Sequence, residues 1–335
     1  MDIKQALLNC TSEYLKDELH YGNLLLATNK YKAILNQLCG EEMDVDAGRA
    51  DLEFSNGKAL GTYWAAMCLD DLLRTRQFIR GIDAAIKDKL KTQDQLHILY
   101  AGTGPFATLI LPLLLRNHKQ NIHYTLVEVN PLSFKMLQNV ISKLALEDYN
   151  ITLVQADATT YKIDSQQAPD IIISETMQNA LAKEQQVSIF LNLMKQVKPE
   201  TLFIPEKIEL FLGLLPKGIS ESEVTPNHYH KAKKIFELST EAVFSELQNK
   251  AQQLGETVFQ KTQTVLNKDI LEKYNILFLL TEIQVYKDTK INITESGLTT
   301  PLRLMDISNT TESLTIDTQY EISAEPKLEY KITTA

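Results

Sequence analysis

The sequence is poor in residues that would hold a metal or a disulfide framework. It has three cysteines, Cys10, Cys39 and Cys68, among 335 residues. They are widely spaced, and no CxxC pair or histidine cluster accompanies them. Neither a zinc site nor a set of disulfides is therefore predicted. We expect buried, reduced thiols and no bound metal.

Long apolar runs are also missing. No stretch approaches the roughly 18 consecutive apolar residues that a membrane-spanning helix needs. The first 22 residues carry charges every few positions and lack the uninterrupted apolar core of a secretory signal. We therefore expect a cytoplasmic protein that does not enter membranes.

Positive charge is in deficit, with 34 lysines and arginines against 43 acidic residues, a net charge of −9. Nucleic acids and anionic membranes are usually bound through clustered lysine and arginine, so we expect neither as a partner. A cationic substrate is compatible with this balance, although net charge alone selects none. The length suggests two domains.

The spacing of apolar residues divides the chain into three parts. It predicts helices in residues 1–40 and 62–90, then short strands alternating with helices, then a polar, mostly helical stretch (217–275) and Thr- and Tyr-rich strands (276–332). The alternation predicts an α/β fold with a Rossmann-like, doubly wound parallel sheet. We assign an N-terminal helical segment and linker (1–60), a Rossmann-like domain (61–212), and a C-terminal helical insertion with a mostly β domain (213–335).

A glycine loop follows the first predicted strand of the sheet. Gly102, Thr103 and Gly104 stand between that strand and the next helix, where glycine lets the backbone turn sharply and approach a ligand. The next strand ends in Glu128, and a carboxylate there can bind ribose hydroxyls. NAD and S-adenosyl-L-methionine both carry such a ribose, so the pattern suits either. A solvated strand end is the plain alternative for Glu128.

Three further acids follow later strands. Asp157, beside Ala158, can accept a hydrogen bond from an adenine amino group or cap a turn. Glu175 follows the fourth strand, and Glu184 lies nine residues later. On one helix these two would face opposite ways, so they converge only if the chain folds back. Converging carboxylates would hold a cationic nitrogen and accept its proton. Alternatively, Glu184 is a first-turn helix acid.

Residues 62–212 together resemble the class I S-adenosylmethionine-dependent methyltransferases, and specifically the protein arginine methyltransferase family. Ser174-Glu175-Thr176-Met177 and then Glu184 match that family's double-glutamate loop. The resemblance implies that Glu175 and Glu184 are catalytic and that Met177 contacts substrate. It also implies a set of residues that bind S-adenosyl-L-methionine: Arg74, Gly102, Thr103, Gly104, Glu128, Asp157 and Ala158. The alternative for Arg74 is a surface ion pair with Asp70 or Asp71.

Two family features have no match in this sequence. The tyrosine pair that closes over substrate is missing at the expected distance before Arg74, and Thr300-Pro301-Leu302 stands where the family has a Thr-His-Trp triplet. The resemblance predicts a methyltransferase acting on a guanidinium or amine nitrogen of a peptide, protein or small molecule, and is compatible with a homodimer. A biosynthetic enzyme for a small molecule or modified peptide is the alternative. An NAD-dependent oxidoreductase would leave the double-glutamate loop unexplained, and the intact glutamates argue against a non-catalytic cofactor binder.

Overall fold

The computed structural model describes residues 2–117, 121–219, 223–250 and 259–334. The N-terminal part is helical, as predicted, and contains one small hairpin. Asp71 begins the helix that carries Arg74, because its carboxylate accepts the Arg74 backbone N–H at 3.2 Å. The elements of this part are α1 (Ile3–Thr11), α2 (Tyr21–Cys39), α3 (Asp46–Arg49), β1 (Leu52–Phe54), β2 (Gly57–Ala59), α4 (Thr62–Met67) and α5 (Leu72–Lys89).

A five-stranded parallel sheet with flanking helices follows, which confirms the predicted α/β fold. Its strands run in the order β5-β4-β3-β6-β7. Ala101 pairs with both Val127 and Ser174, so β3, β4 and β6 end at the same edge. The elements are β3 (Leu96–Ala101), α6 (Leu111–Arg116), β4 (Ile122–Glu128), α7 (Pro131–Lys143), β5 (Ile151–Gln155), β6 (Ile171–Ser174), α8 (Gln186–Met194) and β7 (Leu202–Ile204).

The order of these strands places the ligand crevice. Strand β3, the first of the sheet, lies between the second strand, β4, and the fourth, β6, so the direction of winding reverses there. In open α/β sheets the crevice lies at the carboxyl ends of the strands at such a reversal. Every residue of β6 is buried, as expected of a central parallel strand covered on both faces.

The C-terminal part is antiparallel, as predicted for the mostly β domain. One sheet has the order β12-β11-β8-β9, with β13 also paired to β11, and a second has the order β10-β14-β15. Its elements are β8 (Lys207–Pro216), β9 (His230–Ser239), α9 (Thr240–Lys250), β10 (Thr262–Leu266), α10 (Lys268–Leu271), β11 (Tyr274–Tyr286), β12 (Thr289–Ile291), β13 (Leu302–Asp306), β14 (Leu314–Glu321) and β15 (Lys327–Thr334).

The prediction that residues 217–275 are mostly helical is wrong for β9 and β10. Strand β9 is rich in lysine and lacks the alternation of a half-buried strand. Its Lys231 pairs with Glu282 of β11 at 2.6 Å, and its Lys234 pairs with Glu209 of β8 at 3.1 Å. Such cross-strand pairs stabilise the lysine-rich first half of β9, whereas apolar side chains are buried only in its second half. The predicted domain limit at residue 212 also falls inside β8, so the change of sheet comes earlier, between β7 and β8.

Two further features of the described ranges bear on function. None of their helices combines the length and apolar character that crossing a bilayer requires. In the same ranges, no group of three or more His, Cys, Asp or Glu side chains is arranged to hold a metal ion.

Candidate active site

A cavity of about 600 Å³ opens at the carboxyl ends of β3, β4 and β6. It brings together predicted site residues from distant parts of the sequence. The predicted residues that line it are Arg74, Gly102, Thr103, Gly104, Glu128, Ala158, Glu175, Met177 and Glu184. Asp157 is the one predicted residue outside this lining.

The glycine loop after β3 packs closely against Thr176, which follows the end of β6. Gly102 has φ +76°, and a Cβ there would lie 2.2 Å from the Thr176 Cγ2 atom. Gly104 has φ +62°, and its N–H donates to a Glu128 carboxylate oxygen at 2.7 Å. Both positions therefore require the left-handed backbone that glycine adopts without strain. At Gly102, the close approach of Thr176 excludes a side chain as well.

Glu128 is a buried carboxylate and not the solvated strand end of the alternative interpretation. Its second oxygen accepts the Asn130 backbone N–H at 2.8 Å. Burial raises the pKa of Glu128, and the two backbone hydrogen bonds oppose that rise. The carboxylate thus closes the base of the glycine loop.

Asp157 lies beside the cavity and caps a turn. Its carboxylate accepts the Thr159 backbone N–H at 2.8 Å. Ala156 and Ala158 form the cavity wall on either side of it. The turn-cap interpretation matches this geometry, and the contact of Asp157 with an adenine amino group stays a prediction.

The chain folds back between Glu175 and Glu184, as convergence of the two requires. Ala180, Leu181 and Lys183 have φ values of 57°, 57° and 66°. Such left-handed values are uncommon outside glycine, and three of them within four residues reverse the direction of the chain. Both glutamates consequently line the same cavity.

The C-terminal β domain holds this reversed loop in place. The Asn179 side-chain amide donates to the Thr300 carbonyl at 2.5 Å and accepts the Thr281 hydroxyl at 3.1 Å. The buried Tyr320 hydroxyl donates to the Leu181 carbonyl at 2.6 Å. The strained residues are therefore fixed by contacts from the C-terminal β domain.

The β1–β2 hairpin supports Glu184 from the other side. The Lys58 backbone N–H donates to the Lys183 carbonyl at 2.9 Å, so the hairpin runs alongside the second glutamate. The Lys58 ammonium lines the cavity and is paired with Asp51 at 2.5 Å. Sequence reasoning missed both residues, because they lie in a polar segment interpreted as a linker and nothing local indicates their partner.

Arg74 is paired with Glu175, not with Asp70 or Asp71. Only 12% of the Arg74 side chain and 3% of the Glu175 side chain are exposed, so the ion pair is buried in the cavity wall. Asp70 binds Lys32 at 2.6 Å instead, and Asp71 caps α5. The alternative of a surface ion pair for Arg74 is therefore wrong in both partner and location.

Of the two glutamates, Glu175 forms an ion pair with Arg74, and Glu184 forms none among the described residues. Burial raises its pKa to about 7, although Arg74, Gln178 and Lys58 favour its charged form. One oxygen each of Glu175 and Glu184 is buried without a hydrogen-bond partner in the part of the chain described. A buried polar atom without a partner costs about 1–3 kcal/mol, so both oxygens favour a polar ligand in this cavity.

Comparison with known proteins supports the fold. No family model matches the chain, and no curated protein does. It is similar to the Trypanosoma brucei PRMT1 enzyme–prozyme heterotetrameric complex with AdoHcy, with a TM-score of 0.51 and 13% identity over 80% of this chain and 92% of that one. It is also similar to Arabidopsis thaliana protein arginine methyltransferase 10, with a TM-score of 0.52 and 10% identity over 82% and 93% of the two chains. The chain has the fold of the protein arginine methyltransferases.

Two residues of this chain that do not match the family's pattern, Thr300 and Trp64, make specific contacts in this fold. Thr300, which stands in place of the family triplet, holds the double-glutamate loop through Asn179. Trp64, the only tryptophan, lines the cavity with 43% of the residue exposed, and its indole N–H donates to the Arg49 carbonyl at 3.1 Å. The β1–β2 hairpin and Trp64 thus both contribute to the wall of the cavity.

Proposed function

We propose that the protein is an S-adenosyl-L-methionine-dependent methyltransferase that acts on an amine or guanidinium nitrogen. The observation that carries this proposal is the pair of buried glutamates, which face one cavity together with the glycine loop and Glu128. The fold shared with arginine methyltransferases supports it, as does the AdoHcy named in the Trypanosoma brucei complex.

The cofactor side of the cavity fits S-adenosyl-L-methionine. Its volume lies in the range of about 300–1,000 Å³ that is usual for small-molecule sites. Each Glu128 oxygen accepts at least one backbone hydrogen bond, and a carboxylate oxygen can accept a further bond from a ribose hydroxyl. Arg74 is the cation within this lining that suits a carboxylate. When bound, the cofactor supplies a methyl group activated by its positively charged sulfur.

The two glutamates have different tasks in this proposal. Glu175, neutralised by Arg74, orients the acceptor nitrogen and stabilises the positive charge that develops on it. Glu184, with a pKa near 7, accepts the proton that this nitrogen loses. A base whose pKa lies near the working pH is the most effective for such a transfer.

A small amine or modified peptide is the second candidate for the acceptor. Arg74 already occupies Glu175, and the Lys58 ammonium stands on the same side as Glu184. A guanidinium would find only Glu184 free to form an ion pair, because Arg74 is already paired with Glu175 and Lys58 with Asp51. An amine needs only one free carboxylate to take its proton, which suits this arrangement.

Incubation of the purified protein with a cell extract and methyl-labelled S-adenosyl-L-methionine tests the proposal. We expect labelled product that disappears with a Glu184→Gln variant, and fractionation separates labelled protein from labelled small molecules. Calorimetry with S-adenosylhomocysteine and NAD is the control. Binding of NAD without binding of S-adenosylhomocysteine, together with no labelled product, would overturn the proposal.

A further inference from the structure

Gln186 is a buried side chain at the start of α8, and only 2% of it is exposed. It reaches back across the double-glutamate loop to the end of β6. Its Oε1 atom accepts the Thr176 backbone N–H at 2.9 Å and the Thr176 hydroxyl at 3.0 Å. Its Nε2 atom donates to the Ser174 carbonyl at 3.1 Å. These bonds tie the two ends of the loop together.

We propose that Gln186 is a positioning residue that sets the arrangement of the two catalytic glutamates. The inference rests on the proposed function. Ser174 and Thr176 are the neighbours of Glu175 on either side, and Gln186 follows Glu184 by two residues. One side chain therefore links the backbone around Glu175 to the backbone beside Glu184, and closes the reversed loop into a ring.

A carboxamide is needed for this link because it donates and accepts at once. Methionine, of similar length, does neither. Its introduction would leave the Ser174 carbonyl and the Thr176 N–H without their side-chain partner in a buried place. The left-handed residues of the loop would then be held only by the C-terminal domain and the β1–β2 hairpin.

Gln196 provides a matched control near the other end of α8. Its side chain makes the same kind of link to another loop, since it accepts the Ile163 backbone N–H at 3.1 Å and donates to the Tyr161 carbonyl at 3.0 Å. It does not line the cavity. Gln196 is only partly buried, whereas Gln186 is fully buried, so its loss should cost less stability, and only Gln186 bears on the glutamates.

The test compares Gln186→Met and Gln196→Met in the full chain, with amide hydrogen exchange of residues 175–184 and NMR titration of the Glu184 carboxyl. We expect Gln186→Met alone to speed exchange in this loop and to move the Glu184 pKa from about 7 toward its ordinary value. It should lower kcat about tenfold, while the Kd of S-adenosylhomocysteine changes less than about twofold.

Exchange and titration need neither cofactor nor acceptor, so they decide the inference even if the wild type transfers no methyl group. Unchanged exchange and titration in Gln186→Met would overturn it, and so would equal changes in both variants. Gln186→Glu keeps the acceptor for Thr176 and, when ionised, lacks the donor to Ser174. It takes the place of the methionine variant in the same measurements should that variant fail to fold.

Discussion

The cofactor side of the cavity is made by loops of one parallel sheet, whereas the acceptor side is assembled from segments far apart in the chain. Gly104 contacts Glu128, and Gly102 contacts Val127, across adjacent strand ends. Glu184 instead depends on the β1–β2 hairpin, on α8 and on the C-terminal β domain. Backbone geometry fixes the first side, and side-chain contacts between distant segments fix the second. Changes on the acceptor side should therefore affect turnover, and changes on the cofactor side should affect binding.

The largest effect is expected from Glu184→Gln, which removes the base and keeps the size of the side chain. We expect turnover to fall by about 10²-fold or more, because general-base catalysis contributes on that scale. The affinity for S-adenosylhomocysteine, measured by calorimetry, should stay nearly unchanged. Glu147→Gln, at an exposed position, is the control. Full activity of Glu184→Gln would mean that the acceptor nitrogen does not give its proton to Glu184.

Glu128→Ala should weaken cofactor binding more than it slows turnover, which is the reverse of the effect expected for Glu184→Gln. The Glu128 variant removes a buried carboxylate that closes the glycine loop and is proposed to bind the ribose. We expect S-adenosylhomocysteine binding to weaken by about 1.5–3 kcal/mol, the scale of hydrogen bonds to a charged group. Turnover at saturating cofactor should change much less than in Glu184→Gln. Unaltered binding would show that the strand-end acid serves only the loop.

The cofactor side follows from the sequence because its parts are close together along the chain. A strand, a glycine loop and a helix form one continuous pattern, and the next strand brings Glu128 beside Gly104. The position of Lys58 next to Lys183 has no such local signal, because it depends on long-range pairing of the hairpin. The nine-residue spacing indicates only that the two glutamates converge if the double-glutamate loop folds back. The cause of this fold-back, three left-handed residues and Gln186, becomes visible only in three dimensions.

Strand β9 shows the same limit in the fold. Its lysines resemble the polar face of a helix until the acids of β8 and β11 are seen beside them. Strands of the parallel sheet are instead buried on both faces, and their short apolar runs identify them directly. Sequence patterns thus predict an element correctly where burial determines its structure. They fail where partners distant in the sequence determine it.

Gly102→Ala tests the point where the two sides of the cavity meet. The variant combines a left-handed φ with a Cβ 2.2 Å from Thr176 Cγ2. Left-handed strain costs about 1–2 kcal/mol and overpacking about 1–3 kcal/mol, so we expect the free energy of unfolding to fall by about 2–4 kcal/mol. Gly218→Ala has φ +85° with open space around it, and isolates the strain. Equal losses in both variants, measured by urea denaturation, would show that Thr176 moves aside freely.

The last effect, confined to a window of pH, is the pH dependence of stability that Glu184 confers. Its pKa in the folded protein is about 7, above the ordinary value of 4.5 that applies when the chain unfolds. Between these values the folded state holds a proton that the unfolded state releases. The contribution of Glu184 to stability is therefore fully present below pH 4.5 and is lost as the pH rises to about 7. For one proton the slope reaches at most about 1.4 kcal/mol per pH unit. Urea denaturation at several pH values should show this decline in the difference between wild type and Glu184→Gln, because glutamine does not titrate. A difference independent of pH would mean that Glu184 is ionised in the free protein, and that the acceptor side holds a permanent pair of charged carboxylates.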